Sequence, residues 1–273
     1  MDIREFENLK KGSLVHCITN YVTVNDVANT ILATGGSPIM ADAIEEVEEI
    51  INICSSLVIN IGTLNSRTVE SMILAGETAN KLGKPVVFDP VGIGASSFRT
   101  ETSLRLLERI DFAVIRGNAS EIKAIVSGNK TSSGVDVGID DIISEDNLDE
   151  YIKIAKEVSK TYKTVAVITG PIDIITDNTS TYIVKNGHAN MERITGTGCM
   201  LTGLIGSLVG ANPTEILESS TIALGMMGLS GELANETMLE EKLGTSSLRT
   251  ILIDNLSNLD EKTMKEGLRI EIR

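Results

Sequence analysis

Short aliphatic, β-branched runs return along this chain at 14–18, 57–61, 86–89, 112–115 and 165–169, separated by longer amphipathic stretches. Runs of four or five residues, apolar on both sides of the zigzag, suit strands buried on both faces, as in parallel sheets. The stretches at 23–33, 45–54, 66–82, 102–110 and 148–160 carry helical spacing. Strands that alternate with helices imply βαβ units: an α/β three-layer sandwich with a mostly parallel central sheet and helices on both faces. The exception is 172–184, where two short runs flank Asp177-Asn178-Thr179-Ser180 and read as a hairpin, giving the sheet antiparallel edge strands. Beyond Gly198 the pattern turns helical at 199–209, 213–234 and 246–257, with Pro213 expected in a first helical turn. The polar, Gly/Ser-rich segment 127–147 reads as a surface loop and not a boundary, so one domain over 1–273 is expected.

Charge narrows the function classes. A formal net charge of −14 repels nucleic acid and anionic membranes, and any phosphate site must be built locally from backbone amides, a metal ion or an arginine. Aromatic residues are 3% with no Trp, so there is no platform for stacking bases. Cys17, Cys54 and Cys199 are too widely spaced for a disulfide framework or a CxxC clamp, which fits a reducing compartment. The N-terminal Met1-Asp2-Ile3-Arg4-Glu5 lacks a signal-like apolar region, and no apolar run approaches the ~18 residues of a membrane span. A cytoplasmic protein is expected.

Ligands of open parallel sheets gather at the carboxyl ends of the strands. The polar groups there are Thr19-Asn20, Gly62-Thr63, Asp89-Pro90-Val91-Gly92, Arg116-Gly117-Asn118 and Thr169-Gly170-Pro171. The sharpest segment is Thr195-Gly196-Thr197-Gly198-Cys199, which opens an aliphatic helix: two glycines let backbone amides converge on an anion at a positive helix end. A turn that merely needs small residues is the plainer alternative. The segment has neither the spacing of a dinucleotide fingerprint nor a Walker lysine. In Arg116-Gly117-Asn118-Ala119-Ser120-Glu121, Arg116 can clamp phosphate and Glu121 can face Mg²⁺, although Asn-x-x-Glu is also the spacing of a capping box. Asp89 can hold a metal water or cap its turn. Cys199 heads a helix, where the dipole lowers a thiol pKa, or else is a small buried filler. Cys17 and Cys54 read as core, His16 and His188 as structural. Met40 lies in a short edge-like segment and not on a helix face.

Taken together, Ile18-Thr19-Asn20-Tyr21-Val22-Thr23, Gly35-Gly36-Ser37-Pro38-Ile39-Met40, Phe88-Asp89-Pro90-Val91-Gly92, Arg116-Gly117-Asn118-Ala119-Ser120-Glu121 and Thr195-Gly196-Thr197-Gly198-Cys199 carry a resemblance. Over nearly its whole length the chain resembles the hydroxyethylthiazole kinase family of the ribokinase-like superfamily. The resemblance implies phosphorylation of 4-methyl-5-(2-hydroxyethyl)thiazole by ATP with Mg²⁺, in a homotrimer whose sites lie between subunits. It implies that Arg116 and Thr169, with Asn20 and Gly198, serve ATP. Met40 and Gly196 would contact the thiazole, and Asp89 and Glu121 would serve the metal. Where the wider superfamily places an aspartate base after the glycine turn, this chain has Cys199, which would accept or guide the proton while the amides of 196–199 hold the developing charge. The rival readings are a kinase for hydroxymethylpyrimidine or a sugar, an enzyme repairing hydrated nicotinamide cofactors, and a non-catalytic nucleotide-binding protein.

Overall fold

The computed structural model describes residues 4–9, 12–128 and 142–273. In chain order the first half runs α1 (Arg4–Leu9), β1 (Leu14–Ile18), α2 (Val24–Ala33), β2 (Ser37–Ile39), α3 (Val47–Ile53), β3 (Ser56–Asn60), α4 (Ser66–Lys81), β4 (Val86–Asp89), α5 (Ser97–Arg109), β5 (Val114–Asn118) and α6 (Ala119–Gly128). The second runs α7 (Leu148–Tyr162), β6 (Val165–Thr169), β7 (Asp173–Thr176), β8 (Thr181–Val184), a 3₁₀ turn (Ala189–Arg193), α8 (Thr197–Ala211), α9 (Ile216–Glu240), α10 (Thr245–Asn258), α11 (Glu261–Gly267) and β9 (Ile270–Ile272).

All the strands join one sheet in the order β2-β1-β3-β4-β5-β6-β7-β8-β9. β2 through β6 are parallel neighbours, and β7, β8 and β9 close the far edge antiparallel. Side chains alternate across the sheet as the pleat requires. Val15, Cys17, Val58, Val87, Val114 and Val167 enter one apolar cluster with α2, α8, α9 and α10. Ile18, Leu57, Ile59, Phe88, Ile115 and Ile168 enter the other with α3 to α7. Successive connections leave β1 in opposite directions, to β2 on one side and β3 on the other. This reversal makes the carboxyl ends of β1 and β3 the switch point of the sheet, where doubly wound sheets bind ligands.

The expected hairpin is β7–β8, and the edge-like segment before Met40 is edge strand β2. Other bounds differ for local reasons. Helix α5 starts earlier than expected because the Ser96 hydroxyl accepts the Arg99 amide as an N-cap. Pro213 does not lie in a first helical turn: it sits in the turn after α8, and α9 begins at Ile216. α1, α11 and β9 are too short for periodicity to reveal. Of the loop expected at 127–147, residues 129–141 lie outside the described residues.

Candidate active site

Helix α8 is apolar all round, with every residue from Met200 to Val209 buried, so it runs through the core and points its N-terminus at the sheet rim. Its entry is the glycine turn. Gly196 adopts φ +87°, and a Cβ there would fall 2.2 Å from Thr23 Cγ2. At Gly198 a Cβ would fall 2.6 Å from Arg116 Nη1, so the guanidinium lies directly over the helix start. Glycine is needed at both positions, at the first for conformation and at the second for the approach of a cation.

Around this helix end the switch-point residues form one network. Asn60, the last residue of β3, donates from Nδ2 to Asp89 Oδ2 at 2.7 Å and to Cys199 Sγ at 3.3 Å. Asn20, just past β1, donates to Asn60 Oδ1 at 3.0 Å and to Cys199 Sγ at 3.2 Å. Its own Oδ1 accepts the amide and hydroxyl of Thr23. The Thr202 hydroxyl, one turn into α8, donates to Asp89 Oδ2 at 2.8 Å. Arg116 reaches toward Asp89 Oδ1 at 3.5 Å and donates from Nη2 to Thr169 Oγ1 at 2.7 Å.

Asp89 is fully buried, and its Oδ1 accepts no hydrogen bond. Burial pushes its carboxyl up to about 6 against the pull of Arg116. Nearby Glu121 adds to the rise, and the Thr202 and Asn60 bonds oppose it. With the Arg116 ion pair at 3.5 Å but no hydrogen bond, that buried oxygen keeps acceptor capacity that suits a hydrated cation. Glu121 is engaged differently. Its Oε2 accepts the Asn118 amide at 2.8 Å while Asn118 Oδ1 accepts the Glu121 amide, so the capping box forms. Oε1 accepts the Gly92 amide at 2.9 Å and ties down the turn that follows Asp89. Asp89 and Glu121 lie close enough for their charges to interact, and both offer the hard oxygen donors that Mg²⁺ takes.

One expectation is overturned. Position at a helix N-terminus was expected to lower the Cys199 thiol pKa, yet it is raised, first by burial and then by the charge of Asp89, against bonds from Thr23 and Asn60 and the pull of Arg116. Cys199 is therefore a protonated thiol at neutral pH, not a ready thiolate.

Next to the network a cavity of about 520 Å³ runs from Arg116, Thr169 and Gly198 toward Asn186, His188 and the apolar side chains of Leu201, Leu224 and Met227. Among the described residues that line it, Arg116 is the only arginine or lysine. Asp173 also lines it, with burial pushing its carboxyl up to about 7 against the Gly170 amide and Arg116. Of the residues expected from sequence, Asn20, Asp89, Arg116, Thr169, Gly198 and Cys199 thus converge, Glu121 supports the Asp89 turn, and Gly196 packs on Thr23. Met40 stands apart, after edge strand β2, packed against the apolar cluster of the α8 face. His16 donates from Nε2 to the next carbonyl, Ala41 O, at 2.8 Å.

Asn60, Thr202, Asp173 and Arg99 join the site without being among the residues expected from sequence. Arg99 donates to three carbonyls of the rim, Ile61 and Val91 from Nη1 and Gly62 from Nη2. Asn60 had a signal, being the one polar residue within the apolar run 57–61. Thr202 and Arg99 had none, because each works through a partner distant in the chain.

The model of the hydroxyethylthiazole kinase family matches residues 4–262. The chain is 50% identical over 266 residues to a hydroxyethylthiazole kinase from Clostridium acetobutylicum, covering 97% of each. A solved structure of hydroxyethylthiazole kinase protein from Pyrococcus horikoshii OT3 superposes with TM-score 0.87 at 37% identity, covering 99% of this chain and 98% of that one. A ribokinase-like superfamily protein from Enterococcus faecalis shares the fold, with TM-score 0.60 at 11% identity over 93% of this chain and 88% of that one. Sequence and fold therefore agree, and the chain belongs to the hydroxyethylthiazole kinase family.

Proposed function

We propose that this protein transfers the γ-phosphoryl group of ATP to the primary hydroxyl of 4-methyl-5-(2-hydroxyethyl)thiazole. Among the structural observations, the one that carries the reading is Arg116, which spans the cavity and the reacting end, lying over Gly198, bonded to Thr169 and facing Asp89. The cavity takes the nucleotide, with its phosphates toward Arg116, Thr169 and Gly198 and its base toward Leu201, Leu224 and Met227. The alcohol enters from the side of Gly196 and Met40, with its hydroxyl beside Cys199.

Phosphoryl transfer through a loose transition state asks little covalent chemistry of a protein, so positioning and charge stabilisation dominate. The amides that open α8 and the guanidinium of Arg116 face the charge that builds on the phosphoryl oxygens. Asn20 and Asn60 hold the Cys199 sulfur in place beside the attacking hydroxyl. With its thiol protonated, Cys199 accepts a hydrogen bond from that hydroxyl and, once the phosphorus–oxygen bond has largely formed, takes its proton while giving its own to an oxygen of the transferred phosphoryl group. Asp89 and Glu121 would hold Mg²⁺, which would offset the negative charge of the phosphates. The active form is a cytoplasmic homotrimer.

A coupled ADP-release assay with Mg²⁺ tests the reading. The thiazole alcohol should turn over well above ribose or hydroxymethylpyrimidine, and omission of Mg²⁺ should abolish the signal. Equal or faster turnover of a sugar or the pyrimidine alcohol would overturn the substrate assignment.

A further inference from the structure

Behind the cavity, away from the reacting end, a charged side chain holds one of its walls. Asn186, Gly187 and His188 form that wall, in the irregular stretch between β8 and the 3₁₀ turn. Gly187 sits at φ +130°, a conformation open to glycine, which adopts many others as easily. Its amide is fixed by Glu232 of α9, whose Oε1 accepts the Gly187 N–H at 2.6 Å. The same carboxylate pairs with both terminal nitrogens of Arg269, just before β9. Arg269 donates in turn to Lys185 O at 2.7 Å and, through its own amide, to Asn186 Oδ1 at 2.8 Å. Asn186 Nδ2 completes the loop by donating to Gly267 O at 3.0 Å. One turn before Glu232, a Cβ on Gly228 would fall 2.6 Å from the Asn186 backbone, so α9 and the wall touch with no side chain between them.

We infer that Glu232 is a positioning residue for the nucleotide: it holds the Gly187 wall at the width the nucleotide requires and fastens it to the C-terminal strand. This rests on reading the cavity as the nucleotide site. A wall held in its bound conformation spares the ordering cost otherwise met on binding, so its release weakens binding while leaving the chemistry alone. The bond to Gly187 is charge-assisted, a class roughly twice as strong as neutral ones.

The test measures the Kd for the non-hydrolysable analogue AMP-PNP with Mg²⁺, alongside both KM values and kcat. Glu232→Ala should raise the Kd and the ATP KM about tenfold while the alcohol KM and kcat stay within about twofold. Glu232→Gln keeps an acceptor for the Gly187 amide and should recover most of the loss. If Glu232→Ala folds and leaves the Kd within about twofold, or moves both KM values alike, the inference is overturned. Should Glu232→Ala fail to fold, Gly187→Ala replaces it. A methyl there meets open space but strains the backbone, so the same nucleotide-specific loss is expected, and unchanged binding overturns the inference. Arg116→Ala separates the two levels. If it weakens AMP-PNP binding and the Glu232 variants do not, only the wall inference fails; if it leaves binding intact, the nucleotide reading of the cavity fails with it.

Discussion

Cys199 accepts two side-chain amide bonds at the head of α8, an arrangement that fixes a sulfur in space while burial keeps it protonated. A group so placed orients more than it deprotonates, and an alcohol attacking a metaphosphate-like centre needs little help from a base. Cys199→Ala should therefore lose no more than about 10² in turnover, the low end of general-base effects. Cys199→Asp introduces an anion facing the donors of Asn20 and Asn60 at a positive helix end, and should match or exceed the natural enzyme. An inactive but folded, ATP-binding Cys199→Asp variant would remove Cys199 from the proton path. Residue identities at the rim were readable because strand ends in such sheets collect ligands; the burial that reverses the thiol's acidity depends on how Asp89, Asn60 and α8 pack, which no local pattern records. Asp173 makes the same point in stability. Its folded pKa is raised, to about 7 from 3.8, so the stability linked to its protonated form is complete below pH ~4 and is lost as pH rises through about 7. Asp173→Asn keeps an acceptor for the Gly170 amide without the buried charge. It should melt higher than the natural protein at pH 8, with the advantage shrinking toward pH 4; a difference independent of pH would contradict the linkage.

The turn after β4 shows how elements share the support of a site. Glu121, at the start of α6, holds its Gly92 amide, while Arg99 of α5 holds its Val91 carbonyl together with the β3 loop. Asp89 is thus presented by a strand end braced from two helices. Glu121→Gln retains an acceptor for only one of the two backbone amides, the usual cost of a lost cap being about 1 kcal/mol, or roughly 2–4 °C in Tm for a chain of this size. The expected outcome is that fall in Tm together with a higher half-saturating Mg²⁺ concentration, read from thermal melts and Mg²⁺ titrations of the assay. A lower Tm with unchanged Mg²⁺ dependence would leave Glu121 a capping residue alone. The Asn-x-x-Glu spacing made the capping box legible, and both uses of the carboxylate were open; its third contact, to Gly92 across the rim, was not. The elements themselves followed from periodicity wherever both faces are buried, as in β3, β4 and β6. Periodicity was silent for β9, whose three residues pair only at the sheet edge, and Pro213 misled because a proline suits a preceding turn as well as a first helical turn.

At the scale of the molecule, the function proposed above puts the two substrates on opposite sides of the switch point. The cavity proposed for the nucleotide is lined by residues of β5–β7, the stretch after β8, α8 and α9. The side proposed for the alcohol is more exposed. Tyr21 and Val22 stand 78% and 57% exposed directly before Thr23, on which Gly196 packs, and Leu32 of α2 is 55% exposed. Large apolar side chains so exposed beside a site suit a contact with another protein chain, and a head-to-tail contact repeated around a ring closes into a cyclic oligomer. In the homotrimer proposed above, these residues would gain a partner and the thiazole pocket would be completed. Sedimentation equilibrium should return three times the 29.2 kDa chain mass. Val22→Asp places a charge in that contact, and should reduce the mass and raise the alcohol KM steeply while the Kd for AMP-PNP, set within one chain, changes little. A natural protein that sediments as a monomer at full activity would refute the assembly, and a Val22→Asp variant that dissociates yet keeps its alcohol KM would show that the pocket is complete without a neighbour.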